Sequence, residues 1–297
     1  MIPSPMPPLP EAASLRTEPI VTRVGRAAVL ALREELHTDP KPGLVGPADP
    51  GSHRDMDAST FEASLRSLRG YFQEAARTGA QGAPFSALRA LAVRAEARML
   101  SATGGANTHR GAIFTMGLLA AGAARLEALG APLTPSALRK EVQLRYGAAV
   151  LRELPPSRDS HGSLALRRYG ASGARGEAAS GFPHLFRVGL PALRESFRHG
   201  ASRRAAAVQC LFALVAVLPD TNLLYRGGGD GLGFAQGAAR EFLARGGVHR
   251  SGWELHARQI HRDFVARRLS PGGSADLLAA SLFVHRLACS PAARRPA

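Results

Sequence analysis

Three side chains that can hold a metal ion or move a proton lie close together in one polar, turn-rich stretch. His53, Asp55 and Asp57 follow at two-residue intervals in KPGLVGPADPGSHRDMD, which begins at Lys41. The prolines restrict this backbone and the glycines bend it, which favours a pre-ordered loop. A cation followed by closely spaced carboxylates is typical of a metal–phosphate site. The same composition is also typical of a solvated connection between helices.

Four later stretches are equally polar and rich in glycine. In SATGGANTHRG, glycines lead through Asn107 and His109 to Arg110 at a predicted helix start, where free N–H groups favour anions. The remaining stretches supply Arg175, Glu177, Asp220, Asn222, Arg226 and Asp276. If all five meet, their carboxylates could hold one or two Mg²⁺ ions and their arginines could bind phosphates. Each has a structural alternative, such as a surface salt bridge at RGE or a dipole interaction for Asp276.

Helices must position these stretches. Alanine and leucine dominate, and aromatic residues make up only 6% of the chain, which favours helices over strands. Apolar residues recur at helical spacing, and no segment alternates as a strand does. We therefore predict an all-α fold, a single domain of about ten helices over residues 17–290 whose long polar loops form the site. Residues 1–16 are predicted to be a disordered, proline-rich tail, and residues 291–297 a flexible C-terminal tail.

Composition narrows the class of protein further. The formal net charge is +15, which attracts polyanions such as nucleotides, coenzyme A or nucleic acid, although a general preference for arginine would give the same balance. Cys210 and Cys289 lie in apolar helical patterns and are predicted to be small core residues. The N-terminus lacks the features of a signal peptide, and the longest apolar run, 208–218, is too short for a bilayer. We therefore expect a cytoplasmic protein without a membrane partner.

Seven segments spread over most of the chain form an ordered set of motifs. They are PKPGLV (40–45), GSHRDMD (51–57), NTHRGAIF (107–114), YGASGARGEAASGFP (169–183), LP (190–191), DTNLLYRGG (220–228) and SPGGSADLLA (270–279). Together they resemble the triphosphoribosyl-dephospho-coenzyme A synthase family. The resemblance implies that ATP and 3′-dephospho-coenzyme A give 2′-(5″-triphosphoribosyl)-3′-dephospho-coenzyme A and adenine. One departure is Arg110, where many members would carry lysine; arginine keeps the charge but changes the phosphate geometry.

This implied reaction requires several kinds of side chain. An acid would assist the departure of adenine, a base would accept the proton of the 2′-hydroxyl, and Mg²⁺ with cationic side chains would hold the triphosphate. As hypotheses, the metal ligands are Asp55, Asp57 and Asp220. The base is Glu177, while His53 and His109 act on adenine or on phosphate, or are structural hydrogen-bonding residues. The proposed substrate-binding residues are Lys41, Arg110, Arg175, Arg226, Asn107 and Asn222.

The resemblance also implies partners. The single-domain length and the wording of YGASGARGEA are closer to the branch that serves malonate decarboxylase than to the citrate lyase branch. The product would pass to a separate transferase that acts on an acyl carrier protein. A homo-oligomer is compatible with the sequence.

Two other classes of protein remain open. A metal-dependent hydrolase of nucleotides or ADP-ribose-like substrates would also need acids in loops. A basic module that binds nucleic acid would use the positive charge, but the sequence contains no recognition motif and no basic patch with interleaved aromatic residues. We therefore expect no nucleic-acid partner.

Overall fold

The computed structural model describes residues 11–154 and 161–288, with side chains described from residue 17 and not for 161–163. Within these ranges the chain is all-α and contains no β-strand, so the predicted fold class is confirmed. The described helices are α1 (Glu11–Leu36), α2 (Ala58–Ala80), α3 (Phe85–Ala102), α4 (Arg110–Ala128), α5 (Pro135–Glu153), α6 (His161–Tyr169), α7 (Gly173–Ala179), α8 (Leu190–Arg198), α9 (Arg203–Val215), α10 (Thr221–Ala244), α11 (Trp253–Ala266) and α12 (Gly272–Ala288). A π-helical turn, Leu185–Gly189, precedes α8, and a 3₁₀ turn, Gly247–His249, precedes α11.

The first helix begins earlier than expected. Residues 11–16, predicted as part of a disordered tail, are helical within α1, and Pro19 lies inside the helix rather than in its first turn. The segment EAASLR consists mainly of residues with good helix propensity, so the helix extends through it. Proline is most common in the first turn of a helix, but here it does not mark the helix start. The predictions made for residues 1–10 and 289–297, including Cys289, lie outside the described residues.

Close packing of small residues sets the position of α4 at the centre of the core. This helix is rich in alanine, glycine and leucine and is buried along most of its length. The Tyr71 hydroxyl of α2 donates to the carbonyl of Ile113 at 2.8 Å. A Cβ at Gly117 would lie 2.1 Å from that hydroxyl, so only glycine allows this approach. The start of α4 is thereby held firmly against α2.

Two further buried helices, α9 and α12, complete the core beside α4. Phe212 of α9 stacks on Phe242 of α10 with 3.9 Å between ring centroids. Cys210 is fully buried, so its predicted place in the core is confirmed. Among the described residues, no helix combines the length and hydrophobicity needed to cross a membrane.

Two polar stretches are more helical than the sequence suggested. The stretch 159–183 contains α6 and α7, and α10 begins at Thr221, inside the polar stretch around Asp220 and Arg226 that we expected to be a loop. Gly228 interrupts α10 with a φ of 62°, a conformation that glycine adopts readily. Glycine-rich sequence hides such helices because it lacks an apolar periodicity and has low intrinsic propensity.

Candidate active site

One cavity of about 700 Å³ is lined by residues from all five polar stretches. Its walls include residues of α1, α2, α6 and α7, the loop before α2, and the starts of α4, α10 and α12 with the segments that precede them. Ten of the twelve site residues proposed from the sequence line it: His53, Asp55, Asn107, His109, Arg110, Arg175, Glu177, Asp220, Asn222 and Arg226. Helix N-termini favour anions, and the carboxylates of Asp276 and Asp220 accept N–H groups at these three helix starts.

His109 immediately precedes α4 and is buried, with 3% of its surface exposed. Its Nδ1 lies 2.7 Å from the Ser64 hydroxyl, and its Nε2 is buried without a hydrogen-bond partner. Burial, assisted by the charge of Lys41, lowers the pKa of His109 to about 3. The imidazole is therefore neutral at physiological pH, which suits a hydrogen bond to an uncharged group better than a salt bridge to phosphate.

His53 and Arg226 are far apart in the sequence but adjacent in the cavity wall. Nη2 of Arg226 lies 3.2 Å from His53 Nδ1, and His53 Nε2 lies 2.9 Å from the Ser270 hydroxyl. Nη1 of Arg226 donates to the carbonyls of Ser52 and Arg268 at 3.1 and 3.2 Å. Burial and then the charge of Arg226 lower the pKa of His53 to about 4. A neutral His53 that accepts at Nδ1 therefore orients the guanidinium of Arg226.

Glu177 lies on α7, and its carboxylate is fixed at both oxygens by one residue. His184 Nδ1 lies 2.6 Å from Oε1, and the backbone N–H of His184 donates to Oε2 at 3.2 Å. The hydrogen bond to Glu177 raises the pKa of His184. Sequence reasoning missed His184, and the only signal was its place directly after the motif that ends at Pro183. The result is an oriented carboxylate in the cavity wall.

Two further arginines of the cavity retain donors for a ligand. Arg110 is about half exposed, and its Nε donates to Glu96 at 2.6 Å. Arg175 donates through Nη2 to the Leu151 carbonyl at 3.3 Å, while its Nε is buried without a partner. A guanidinium has five N–H donors, so both side chains can bind phosphate oxygens and keep these contacts.

Asp220 joins the first turns of α10 and α12. Oδ1 accepts the N–H of Asn222 at 2.9 Å, and Oδ2 accepts the N–H and hydroxyl of Ser274 at 2.8 and 2.9 Å. Burial raises the pKa of Asp220, while these hydrogen bonds oppose the shift. Both oxygens accept hydrogen bonds from protein donors, so Asp220 has a structural role that the sequence did not predict. Asn222 lines the cavity beside it.

Two other carboxylates, Glu35 and Asp276, line the cavity. The Ala112 N–H donates to Asp276, whose carboxylate lies so close to the first turn of α4 that a Cβ at Gly111 would be 1.9 Å from Oδ2. Burial raises the pKa of Asp276 well above its usual value, and the charges of Glu35 and Asp220 add to the shift. The dipole interaction considered for Asp276 was with the first turn of its own helix, but the first turn of α12 contains no acidic residue, and Asp276 instead accepts the Ala112 N–H at the start of α4. Sequence reasoning missed Glu35, which belongs to an ordinary helical pattern in α1.

Lys41 lies outside the cavity lining, contrary to its proposed role in phosphate binding. The side chain is buried, and its Nζ donates to Glu35 at Oε1 (2.6 Å) and at the backbone carbonyl (2.8 Å). The chain reverses direction after α1, which brings the Lys41 ammonium close to the C-terminal end of that helix. Lys41 therefore contacts the cavity through Glu35, and its charge also acts on His109.

Asp57 also lies outside the cavity lining, so the structure does not support its proposed metal ligation. It caps α2: its carboxylate accepts the Thr60 N–H at 2.9 Å, and the Thr60 side chain completes a capping box. These hydrogen bonds, first that of the Thr60 N–H and then that of the Ser59 hydroxyl, lower the pKa of Asp57 to about 2. A helix cap satisfies N–H groups that would otherwise lack partners.

Replacing Asp57 with alanine should lower the thermal midpoint by a few degrees and leave kcat unchanged, because the cap is lost and the cavity is intact. The folded-state pKa of Asp57 is depressed, so its stabilisation is present above about pH 4, the unfolded value, and is lost as pH falls toward about 2. Melting curves of both proteins across this range should therefore converge on acidification. A large loss of kcat in the variant would instead support metal ligation.

The three aspartates proposed as metal ligands do not form a metal site. Asp57 caps α2, Asp220 is bonded to backbone and hydroxyl groups, and the Asp55 side chain is 66% exposed and lies 3.8 Å from His53. Over residues 11–154 and 161–288, no group of three or more His, Cys, Asp or Glu side chains is arranged to hold a metal ion. Within the described part of the chain, these aspartates are therefore not grouped as ligands of a resident Mg²⁺ ion.

Comparison with known proteins gives a consistent family. The family model described as ATP:dephospho-CoA triphosphoribosyl transferase (CitG) matches residues 21–294. A probable 2-(5''-triphosphoribosyl)-3'-dephosphocoenzyme-A synthase of Acinetobacter calcoaceticus is 39% identical over 265 residues, covering 89% of this chain and 91% of that protein. A synthase of the same name from Klebsiella pneumoniae is 40% identical over 279 residues, covering 91% of each chain. No solved structure matches the chain significantly.

Proposed function

The chain belongs to the ATP:dephospho-CoA triphosphoribosyl transferase family, and from this premise we propose the reaction that it catalyses. It transfers the 5-triphosphoribosyl group of ATP to the 2′-hydroxyl of 3′-dephospho-coenzyme A and releases adenine. The names of the relatives support this reaction. In bond terms, the ribose C1–N9 bond of ATP breaks with its electron pair on adenine, a C1–O bond to the acceptor forms, the hydroxyl proton passes to a base, and adenine takes up one proton and leaves as the neutral base.

The observation that carries the proposal is the meeting of an oriented carboxylate and several guanidinium groups in one cavity. Glu177 and the arginines Arg110, Arg175 and Arg226 all line it. A carboxylate can accept the hydroxyl proton as C1 becomes electron-deficient, as in glycosyl transfer. Guanidinium groups can hold a triphosphate by charge-assisted hydrogen bonds without cleaving it.

In this proposal Glu177 is the general base and His184 is its positioning residue. The two hydrogen bonds from His184 fix the direction of the carboxylate. Because the carboxylate is already oriented, less conformational entropy is lost when the transition state forms. Arg226, oriented by His53, binds the triphosphate together with Arg110 and Arg175. Asn107 and Asn222 supply uncharged hydrogen bonds to the substrates.

Magnesium enters this proposal as part of the substrate, because ATP binds as its Mg²⁺ complex. The triphosphate itself supplies oxygen ligands, and Mg²⁺ commonly keeps several waters and only one or two protein carboxylates. Of the three aspartates proposed from the sequence as metal ligands, Asp55 is exposed at the cavity wall and can approach such a complex.

We further propose that the product serves malonate decarboxylase rather than citrate lyase. The wording of YGASGARGEA in residues 169–178 supports this branch. The product would pass to a separate transferase that loads an acyl carrier protein, and the enzyme would work in the cytoplasm. Deleting the gene in its host should abolish malonate decarboxylase activity; loss of citrate lyase activity alone would refute the assignment.

Mass spectrometry of the pure protein incubated with ATP, Mg²⁺ and 3′-dephospho-coenzyme A tests the reaction. We expect free adenine and an acceptor whose mass has increased by one triphosphoribosyl group, in equal amounts. Omitting the acceptor should stop adenine release. Adenine release at the same rate without acceptor would instead favour a nucleotide hydrolase.

A further inference from the structure

One corner of the cavity combines an aromatic ring with two polar atoms that have no partner. Thr108 Oγ1 and His109 Nε2 are both buried without a hydrogen bond, and both residues line the cavity. Phe61, also in the lining, meets the His109 ring edge-on with 4.9 Å between centroids. Buried polar atoms without partners are rare and costly, so a ligand group that pairs with them would bind favourably.

We propose that Phe61, Thr108 and His109 form a purine-base subsite of the active site. A purine offers a flat apolar face to an aromatic side chain and ring nitrogens to hydrogen-bond donors. Among the described residues, no arginine or lysine side chain is hydrogen-bonded to these three. The guanidinium of Arg110, the next residue in the chain, is paired with Glu96. The three residues thus offer an aromatic ring and uncharged polar atoms.

The state of His109 fits this assignment. Burial lowers the pKa of His109 to about 3, so the ring is neutral and cannot attract phosphate as a cation. Ser64 is fully buried on α2, and its hydroxyl lies 2.7 Å from His109 Nδ1. If Ser64 donates this hydrogen bond, Nε2 carries the proton and is a donor toward a purine ring nitrogen. Ser64 is then a positioning residue that selects the tautomer.

This inference rests on the proposed function for its choice of ligand, because ATP and 3′-dephospho-coenzyme A both carry adenine. The chemistry of the subsite is the same for either source. If it takes the base of ATP, a donor to a ring nitrogen also stabilises adenine as it leaves. Binding measurements separate the two sources and do not require turnover.

The first experiment compares adenine with 1-deaza-, 3-deaza- and 7-deazaadenine by calorimetry on the wild-type protein. Each analogue lacks one ring nitrogen. We expect one analogue to bind about tenfold more weakly than adenine. That analogue lacks the ring nitrogen that pairs with the subsite, so a buried donor is left unpaired. Equal affinity for all four bases would overturn the proposal.

Substitutions then test whether His109 causes the preference for adenine over the analogue that lacks the ring nitrogen. His109→Phe should remove the preference for the ring nitrogen, and Ser64→Ala should reduce it several-fold while leaving the imidazole in place. His199, whose side chain is 61% exposed on the surface and lies outside the cavity lining, provides the control His199→Phe, which should retain the full preference. If His109→Phe does not fold, Ser64→Ala decides: an unchanged preference in that variant contradicts the proposal.

The last experiment identifies the source of the base. ATP alone and 3′-dephospho-coenzyme A alone are titrated into wild type and Ser64→Ala. A weakened affinity for only one of them names the substrate whose base occupies the subsite, and unchanged affinity for both would overturn the proposal. Because these are equilibrium measurements, the subsite can be supported even if no triphosphoribosyl transfer is detected, and transfer can be observed even if the subsite fails.

Discussion

Replacing Glu177 with glutamine is expected to lower kcat by roughly 10²–10⁴-fold, the usual contribution of a general base. The amide keeps the size of the side chain but cannot accept the proton of the attacking hydroxyl. Substrate binding should change little, because the arginines of the cavity are untouched. Steady-state kinetics with ATP and 3′-dephospho-coenzyme A, alongside a melting curve to verify folding, give the measurement.

The surface pair of Glu195 and His199 offers a matched control for this result. Glu195 Oε1 lies 3.3 Å from His199 Nδ1, so it is a second Glu–His pair, but both side chains are largely exposed and lie outside the cavity lining. Glu195→Gln should therefore leave kcat unchanged. A Glu177→Gln protein that folds and retains wild-type kcat would show that another group accepts the proton.

Replacing Lys41 with methionine should reduce the free energy of unfolding by roughly 3–5 kcal/mol, the usual cost of breaking a buried ion pair. The ammonium and the Glu35 carboxylate are 2.6 Å apart, and both residues are at most 5% exposed. Methionine would fill similar volume but leave a buried carboxylate without its counter-charge. Urea denaturation monitored by circular dichroism measures the change.

Lys140, the other lysine of the chain, is exposed on α5 and provides the control, since Lys140→Met should leave stability unchanged. In the double variant Lys41→Met, Glu35→Leu, much of the lost stability should return because no unpaired charge remains buried. The original assignment of Lys41 to phosphate binding predicts a different outcome: a higher KM for ATP with little loss of stability. That pattern would contradict the buried-pair interpretation.

Two carboxylates of the cavity accept N–H groups at helix starts. Asp276 lies against the N-terminus of α4, and Asp220 occupies N–H groups at the starts of α10 and α12. In the sequence these carboxylates could be metal ligands, because aspartate both binds metal ions and caps helices. Their hydrogen bonds distinguish them, and those bonds depend on which helix ends are adjacent.

Local patterning was sufficient for much of the fold. The apolar spacing along the chain predicted an all-α fold, because the period of an α-helix is fixed by backbone geometry alone. Glycine-rich sequence had the opposite effect: α6, α7 and the start of α10 were predicted as loops because glycine gives neither propensity nor an apolar stripe. Tertiary contacts stabilise these helices instead.

The sequence by itself determined the helical class, the ordered motifs and thereby the family, because these depend on residue types and on spacing along the chain. Only the tertiary structure decided that His53 meets Arg226, that His184 holds Glu177, and that Lys41 is buried against Glu35, outside the cavity lining. The physical reason is that hydrogen bonds and ion pairs act over a few ångströms in space. Which side chains come within that range depends on how the whole set of helices packs.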